Sequence, residues 1–334
     1  MATISILGDG GWGTALALVL HRNEHCVRLW GPFADYLDEI RRTGENRKFL
    51  PGIPLPREIE WRADRREAVT GADVIVFASP SRFFRKVLMD FAPIIRQLDK
   101  PLLLLSVTKG LDHESQQRMT TVAEDVLQTA TVAALSGPSL AAEVARGVPT
   151  AVTIACKDHD CARQLQHLFN NPTFRIYTSD DVVGVEMGGA LKNVVAIAAG
   201  VCDGLGYGDN TRAALITRGL AEISRLGGAL GAHPATFAGL SGMGDLVVTC
   251  TSRLSRNHTV GERLGRGESA PAILASMVQV AEGVETCVTA LALAQRLQVP
   301  VPITEEVHAV VHQGKSPREA VQALLGRNPR AERG

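Results

Sequence analysis

Short apolar runs alternate with amphipathic segments along the first half of the chain. The apolar runs occupy residues 3–7, 26–30, 74–78, 102–107, 132–135 and 151–155. Several of these runs are hydrophobic at every position, which is typical of strands buried on both faces of a parallel sheet. Segments with helical spacing lie between them, at residues 14–22, 81–98 and 114–127. The alternation predicts a Rossmann-like, doubly wound α/β fold with a mainly parallel sheet.

After about residue 180 the strand pattern stops and helical spacing replaces it. The longest apolar segment, residues 182–201, predicts a long buried helix. Further helices are predicted at 211–226, 257–264, 271–278, 284–297, 304–312 and 317–325. We therefore expect a dinucleotide-binding domain at 1–181, an all-helical substrate and catalytic domain at 182–326, and a polar tail at 327–334.

The helix at 317–325 carries the clearest end signals in the chain. Ser316 and Glu319 have the spacing of a capping box, and Pro317 stands at the first helical position. Gly326 follows the last helical residue. These signals predict both ends of this helix.

Composition narrows the class of protein. The chain has 334 residues with 35 basic and 35 acidic side chains, so its formal charge is zero, which argues against a nucleic-acid binder. The longest run without a charged residue, 226–244, holds six glycines and is a poor membrane span. The N-terminus reads as a strand and not as a signal peptide. Six cysteines without a C-x-x-C pair favour free thiols in a reducing cytoplasm.

A glycine loop follows the first predicted strand. Gly8, Gly10 and Gly13 fit the pattern G-x-G-x-x-G at the junction of a strand and a helix. Such a loop permits a tight turn, lets a pyrophosphate approach the backbone, and packs the helix closely on the strand. The pattern predicts a dinucleotide site, and a purely structural glycine turn is the alternative.

The residue that should hold the adenosine ribose is missing from its expected position. An acid should end the second strand about 20 residues after the glycine loop. That strand instead runs into Gly31, Pro32 and Phe33, while Asp35 comes late and suits a helix cap. No arginine stands there for a 2′-phosphate. The choice between NAD and NADP therefore stays open.

Lys192 and Asn193 lie inside the long apolar helix at 182–201. A lysine is almost never buried unless it is paired or functional. Small residues at helical spacing, such as Gly188 and Gly189, leave room on its face for a ligand or another backbone. The alternative is a lysine that extends to the surface.

Two further segments suit an anionic ligand. Gly242 to Gly244 read as a turn with Asp245 as its polar end, and Thr249 follows. Ser255 or Asn257 suits a helix cap, which places Arg256 at a helix N-terminus. A cation there is unfavourable unless an anion is present, which favours a phosphate or carboxylate ligand, and a solvated arginine is the alternative.

Loops after two apolar runs also carry polar residues. Lys109 follows the run at 102–107, and Gly137 and Ser139 follow the run at 132–135. Ligands of open α/β sheets bind beyond the carboxyl ends of strands, so Lys109 is well placed for an anion, although each loop alone suits a plain turn. His308 and His312 have a spacing that metals use, but no third ligand is evident and we expect no metal.

These motifs occur in one order that closely resembles the bacterial NAD(P)-dependent sn-glycerol-3-phosphate dehydrogenase family, over about residues 2–326. The resemblance rests on the glycine loop together with N-R-K-F-L-P at 46–51, S-V-T-K-G at 106–110, S-G-P-S at 136–139, G-G-A-L-K-N at 188–193, R-A-A-L-I-T-R-G at 212–219, G-D-L at 244–246 and S-R-N at 255–257. It implies reversible hydride transfer between NAD(P)H and dihydroxyacetone phosphate, which supplies sn-glycerol 3-phosphate for phospholipid synthesis. It also implies a homodimer.

The resemblance assigns roles by matching position. Lys192 would be the proton donor and acceptor. Substrate contacts would come from Lys109, Gly137, Ser139, Asp245, Ser255, Arg256 and Asn257, with Asn193 and Thr249 nearby. Cofactor contacts would come from Gly11, Trp12, Lys109, Ala141, Arg256, Val280 and Glu282.

The chain departs from the family at three places. Gly11 stands where serine is usual, and Asp9 where a small residue is common. An acid inside the loop would repel a pyrophosphate unless it points away. Pro32 and Phe33 replace the histidine or arginine often found after the second strand, which puts NADP preference in doubt.

Other functions stay open at this stage. A related dehydrogenase of a β-hydroxyacid or a sugar-acid phosphate would use the same architecture. A non-catalytic dinucleotide-binding sensor is the other alternative.

For the proton step, burial and a second cation would lower the pKa of Lys192, whereas Asp245 would raise it. Arg256 and the N–H groups of its helix are our hypothesis for the phosphate site.

Overall fold

Eight strands form one sheet in the first half of the chain. The computed structural model describes residues 1–98, 100–129, 131–329 and 331–332. The strands are β1 (Thr3–Leu7), β2 (Cys26–Trp30), β3 (Glu60–Arg62), β4 (Val74–Phe77), β5 (Leu103–Ser106), β6 (Ala133–Ser136), β7 (Thr150–Ala155) and β8 (Phe174–Ser179). Their order in the sheet is β3-β2-β1-β4-β5-β6-β7-β8.

The sheet reverses its winding direction at β1. This strand pairs in parallel with β2 on one side and β4 on the other, so that Leu7 faces both Trp30 and Phe77. All pairs are parallel except β6 with β7, which run antiparallel. The predicted doubly wound, mainly parallel sheet is therefore confirmed, and its switch point lies beside the glycine loop.

Two strands, β3 and β8, were not predicted from the sequence pattern. β3 has only three residues, and β8 alternates buried and exposed side chains because it is an edge strand with one covered face. Neither presents the continuous apolar run that marks the central strands. The predicted run at 151–155 corresponds to β7, which begins one residue earlier.

Seven helices connect these strands in the described part of the chain. They are α1 (Gly11–Arg22), α2 (Ala34–Thr43), α3 (Arg65–Val69), α4 (Ser81–Ile95), α5 (Met119–Leu127), α6 (Ala141–Ala145) and α7 (His159–Phe169). The prediction of a helix over 114–127 was wrong at its start, because residues 111–118 form a turn closed by a bridge between Leu111 and Arg118. The helix predicted at 81–98 ends at Ile95.

The described residues after β8 are helical or irregular. The helices are α8 (Val182–Gly204), α9 (Asp209–Ala229), α10 (Pro234–Phe237), a π-helical turn (Leu240–Gly244), α11 (Asp245–Thr251), α12 (Arg256–Gly265), α13 (Ala270–Ser276), α14 (Glu282–Arg296), α15 (Pro302–Gln313) and α16 (Pro317–Leu325). The bounds of α16 are as predicted, but the Ser316 side chain makes no capping hydrogen bond. In the expected tail, residues 330, 333 and 334 lie outside the described residues.

Helix α8 is the axis of the second half. It begins where Asp181 accepts a hydrogen bond from the backbone N–H of Gly184, two residues after the sheet ends. By length and composition it is the one described helix that could cross a membrane, but 89% of that apolar segment is buried inside the protein. Its hydrophobicity is therefore that of a core helix.

Small residues let neighbouring helices approach α8 closely. A Cβ atom on Gly200 would lie 2.0 Å from the carbonyl oxygen of His258 in α12. One on Gly188 would lie 2.4 Å from the carbonyl oxygen of Ser241 in the π-helical turn. At Gly188 and Gly200 the missing side chain thus leaves room for another backbone.

Candidate active site

The site lies where helix α8 crosses the carboxyl end of strand β6. Gly189 of α8 is so close to this strand that a Cβ atom would lie 2.4 Å from the Oγ atom of Ser136. The loop after β5 reaches the same place, since a Cβ on Gly189 would also be 3.6 Å from Cγ of Lys109. The ends of neighbouring parallel strands therefore meet the middle of the long helix here.

The glycine loop between β1 and α1 is shaped by close backbone contacts. Gly8 has a φ of +142°, and a Cβ atom there would lie 2.7 Å from the carbonyl group of Ala78. A Cβ on Gly13 would lie 2.1 Å from the carbonyl oxygen of Gly8. Gly10, by contrast, has no heavy atom within 4 Å of its Cβ position. The loop thus packs tightly at its two ends and is open in the middle, beside the N-terminus of α1.

Gly11 borders the same opening, and Trp12 follows it, with its ring centroid 6.4 Å from that of Phe174. A Cβ on Gly11 would lie 2.6 Å from the carbonyl oxygen of Phe49, so a serine at this position requires the 46–51 loop to move. Ala141 is also adjacent, with its Cβ 3.9 Å from that position. The Nε1 atom of Trp12 is buried without a hydrogen-bond partner. A buried indole N–H without an acceptor is consistent with a binding site whose ligand would accept that hydrogen bond.

A carboxylate joins two lysines at the centre of the site. Asp245 Oδ1 accepts a hydrogen bond from Lys192 Nζ at 2.7 Å, and Asp245 Oδ2 accepts one from Lys109 Nζ at 2.7 Å. Lys192 also donates to Thr249 Oγ1 at 2.7 Å. Asp245 is 1% exposed, so the three groups form a buried ionic cluster with two positive charges and one negative charge. Such a cluster suits an anionic ligand.

The prediction for Asp245 needs one correction. It is not the polar end of a turn but the first residue of helix α11, and the preceding glycines form the π-helical turn. Thr249 lies one helical turn further on, and its hydroxyl donates to the Asp245 carbonyl at 2.6 Å. The i, i+4 spacing therefore places both groups on the face that Lys192 meets.

Burial decides the pKa of Lys192. Desolvation of the ammonium lowers it from 10.5 to about 8, and the charge of Lys109 acts in the same direction. Asp245 opposes both by its charge and its hydrogen bond. Lys192 is only 5% exposed, which explains why desolvation is the larger effect. A lysine with this pKa is poised to exchange a proton near neutral pH.

Lys109 is held by the loop after β6. Its ammonium donates to the Gly137 carbonyl at 2.9 Å and to Ser139 Oγ at 3.2 Å. Gly137 has a φ of +143°, and a Cβ atom would lie 2.9 Å from Cα of Val152, so the turn requires glycine. The Ser136 hydroxyl, which was not predicted as part of the site, donates a long hydrogen bond of 3.5 Å to Asp245 Oδ2.

A chain of amides runs from α8 to α14. Asn257 Nδ2 donates to Asn193 Oδ1 at 2.9 Å, and Asn257 Oδ1 accepts from the Gly283 N–H at 2.9 Å. Asn193 donates in turn to the Lys109 carbonyl at 3.3 Å. Both asparagines are buried. Their amides therefore fix Lys109 and the N-terminus of α14 relative to α8.

The remaining predicted residues form the outer rim. Ser255 caps α12 by accepting from the His258 N–H at 3.2 Å. Arg256 is exposed and donates to the Val280 carbonyl at 2.8 Å. Glu282 accepts from the backbone N–H of Ser81 at 3.1 Å and from its hydroxyl. Ser81, at the start of α4, was not predicted; its signal was a serine directly after Pro80 at the end of a strand.

The paired histidines on α15 do not resemble a metal site. Their rings stack at 5.2 Å between centroids, and His312 Nε2 lies 3.0 Å from the carbonyl oxygen of Val284. No group of three or more metal-ligating side chains occurs among the residues that the structure describes. The cysteines within those residues are all unpaired, and Cys26 alone is exposed.

Comparisons with known proteins give a consistent result. The family model described as NAD-dependent glycerol-3-phosphate dehydrogenase N-terminus matches residues 3–162, and its C-terminal counterpart matches residues 181–322. A glycerol-3-phosphate dehydrogenase [NAD(P)+] of Geobacter metallireducens is 50% identical, with 99% of each chain covered. That of Geobacillus kaustophilus is 48% identical over 99% of this chain and 96% of its own.

Solved structures agree. A glycerol-3-phosphate dehydrogenase from Coxiella burnetii has a TM-score of 0.94 and 40% identity, and the match covers 98% of this chain and 99% of that one. A ketopantoate reductase from Ralstonia eutropha has a TM-score of 0.61 at 17% identity, over 96% of this chain and 99% of that one. The second likeness shows only that the fold is shared.

Proposed function

This chain belongs to the NAD-dependent glycerol-3-phosphate dehydrogenase family, and from that membership we propose that it reduces dihydroxyacetone phosphate reversibly to sn-glycerol 3-phosphate with NADH or NADPH. The product would supply glycerophospholipid synthesis. The observation that carries the mechanism is the buried Lys192, joined to Asp245 and Thr249 beside the strand ends.

The glycine loop fits a dinucleotide. Gly10 leaves open space at the N-terminus of α1, where backbone N–H groups attract a pyrophosphate. The orphaned Nε1 of Trp12 offers a further donor. Our further cofactor-contacting candidates are Gly11, Ala141, Val280 and Glu282, and Gly8 and Gly13 shape the loop. The reduced nicotinamide, when bound, supplies the hydride.

Lys192 would handle the proton. Hydride arrival at the ketone carbon builds negative charge on its oxygen, and a protonated Lys192 both stabilises that charge and neutralises it by proton transfer. Positioned proton transfer is worth about 10²–10⁴ in rate. Asp245 holds the ammonium in place through Oδ1, and its other oxygen is already engaged by Lys109. In the reverse reaction the neutral amine would take the proton from the alcohol.

The rest of the site would hold the substrate. Our substrate-binding candidates contact Lys192, Asp245 or Lys109, directly or through one another; they are Lys109, Gly137, Ser139, Asn193, Asp245, Thr249 and Asn257. Ser255, which caps α12 beside Arg256 and Asn257, is a further candidate. Arg256 would bind the phosphate together with the N–H groups of α12. The exposed guanidinium and the excess positive charge of the lysine pair support this assignment.

Substrate oxidation and reduction assays test the proposal directly. We expect purified protein to oxidise NADH or NADPH when dihydroxyacetone phosphate is added. Turnover of a β-hydroxyacid with none of the phosphoketone would favour the related dehydrogenase. Dinucleotide binding without any turnover would favour a sensor.

Arg256→Ala tests the phosphate site. We expect KM for dihydroxyacetone phosphate to rise about 10- to 100-fold, because a charge-assisted hydrogen bond to a ligand contributes about 1.5–3 kcal/mol. Arg253→Ala, which removes an exposed arginine from the loop directly before α12, is the matched control. An unchanged KM in Arg256→Ala would remove this residue from the phosphate site.

Three coarser properties complete the proposal. We infer a division into a dinucleotide-binding part at 1–181 and a helical part at 182–326, supported by the end of the sheet at Ser179 and the start of α8 at Val182. We infer a homodimer, testable by sedimentation. The unpaired cysteines support the cytoplasm as its location.

A further inference from the structure

Asp9 carries a carboxylate with no visible role in the fold. It stands between the first two glycines of the loop and is 9% exposed. Its Oδ2 atom is buried without a hydrogen-bond partner. A buried carboxylate oxygen without a donor is costly, so this atom is expected to meet one when a ligand binds.

The direction of the side chain indicates which part of a ligand it would meet. The carboxylate lies against Gly31, where a Cβ atom would be 2.6 Å from Asp9 Oδ2. Gly31 directly follows strand β2, and the Gly8 N–H donates to the carbonyl of Trp30 at 3.0 Å, which ties the glycine loop to this strand end. The side chain therefore points along the loop toward β2 and not into the open space beside Gly10.

The end of β2 is where doubly wound dinucleotide folds bind the adenosine ribose. In those folds an acid at the end of the second strand accepts a hydrogen bond from the 2′-hydroxyl. Here Gly31, Pro32 and Phe33 occupy that position, and Asp35 is exposed in the first turn of α2. Asp9 brings a carboxylate to the same strand end from the neighbouring loop.

We infer that Asp9 selects NAD over NADP by accepting a hydrogen bond from the adenosine 2′-hydroxyl and repelling a 2′-phosphate. This inference rests on the proposed use of a nicotinamide dinucleotide at the glycine loop. The cation that acts on Asp9 is the exposed Lys48, which also lies over the rings of Tyr36 and Phe49. Burial raises the pKa of Asp9, and a hydrogen bond to its own backbone N–H and the charge of Lys48 oppose that rise. A ribose hydroxyl would supply the missing donor, whereas a phosphate would add a second negative charge.

The test compares the two reduced dinucleotides without requiring turnover. Dissociation constants for NADH and NADPH are measured by their fluorescence on the wild-type protein, Asp9→Asn, Asp9→Ser and Asp35→Asn. The asparagine keeps the shape of the side chain and removes its charge. Asp35→Asn is the matched control, because it removes the other acid near the end of β2.

We expect the wild-type protein to bind NADPH at least about ten-fold more weakly than NADH, because the 2′-phosphate would meet the like charge of Asp9; ten-fold corresponds to about 1.4 kcal/mol. Asp9→Asn and Asp9→Ser should each reduce that ratio about ten-fold, mainly by tighter NADPH binding, and Asp35→Asn should leave it unchanged. The kcat/KM ratio for the two dinucleotides should follow the binding ratio. A residue that merely supports the loop would weaken both dinucleotides equally.

Two results would overturn the inference while the proposed function stands. One is equal wild-type binding of NADH and NADPH. The other is a ratio that changes in Asp35→Asn and not in either Asp9 variant. Binding of neither dinucleotide to the wild-type protein would overturn the proposed function, and this inference with it.

Discussion

Replacement of Lys192 by methionine is the most direct test of the proton step. Methionine keeps an unbranched side chain of similar length but removes the ammonium that donates to Asp245 and Thr249. The loss of a positioned acid is worth about 10²–10⁴ in rate, and one donor at a developing oxyanion is worth about 3–4 kcal/mol. Because both roles belong to one group, we expect kcat to fall about 10³-fold, with the dissociation constant of the dinucleotide unchanged.

The structure also sets the pH dependence. The pKa of Lys192 is lowered from 10.5 to about 8, which corresponds to about 3 kcal/mol of disfavour toward the charged form. Below pH 8 the lysine is protonated and competent to donate, so kcat/KM for ketone reduction should fall as the pH rises through about 8. Alcohol oxidation needs the neutral amine, so its kcat/KM should rise through the same pH.

The assay follows nicotinamide absorbance in both directions between pH 6.5 and 9.5, with Lys192→Arg as the control. Arginine restores a positive charge but cannot release a proton in this range, so it separates electrostatic stabilisation from proton transfer. Thermal melts verify that each variant is folded. Near-normal turnover in Lys192→Met, or parallel pH profiles in the two directions, would refute the proposed role.

Two further changes separate cofactor binding from stability. Gly10→Ala should weaken dinucleotide binding at least ten-fold with little change in Tm, because its Cβ meets open space in the protein. Gly13→Ala should lower Tm, because its Cβ would lie 2.1 Å from a backbone oxygen. Dye-monitored melts and NADH fluorescence distinguish the two effects, and equal Tm values for the two variants would contradict this reasoning. Glu222→Ala should reduce the free energy of unfolding by about 1–3 kcal/mol without changing KM, because the Glu222 carboxylate caps α15 by accepting from the N–H groups of Ile303 and Thr304. Urea denaturation measures this loss, and an unfolding midpoint equal to that of the wild-type protein would contradict the prediction.

Much of the fold could be predicted from local pattern. The central strands are buried on both faces and therefore mostly apolar, and the ends of α16 follow from Pro317 and Gly326. The glycine loop could be found because its spacing reflects backbone contacts that only glycine permits. β3 and β8 could not, because a short edge strand and a strand with one exposed face lack the same signal.

The candidate site, like the fold, could be predicted only in part from the sequence. The residue types around Lys192 were evident from the sequence, and so was the conflict between burial, which lowers its pKa, and Asp245, which raises it. The outcome depends on how completely the folded chain excludes water from Lys192, which is 5% exposed.

Local sequence was enough to predict the alternation of strands and helices, the glycine loop and the set of polar residues available for chemistry, because these depend on neighbours a few positions apart. Tertiary structure decided that Asp245 joins Lys109 to Lys192, residues separated by 136 and 53 positions from it. It also decided that Asp9 faces Gly31 and the end of β2. Distances and desolvation are properties of the packed chain, since they depend on which distant segments exclude water from a given atom.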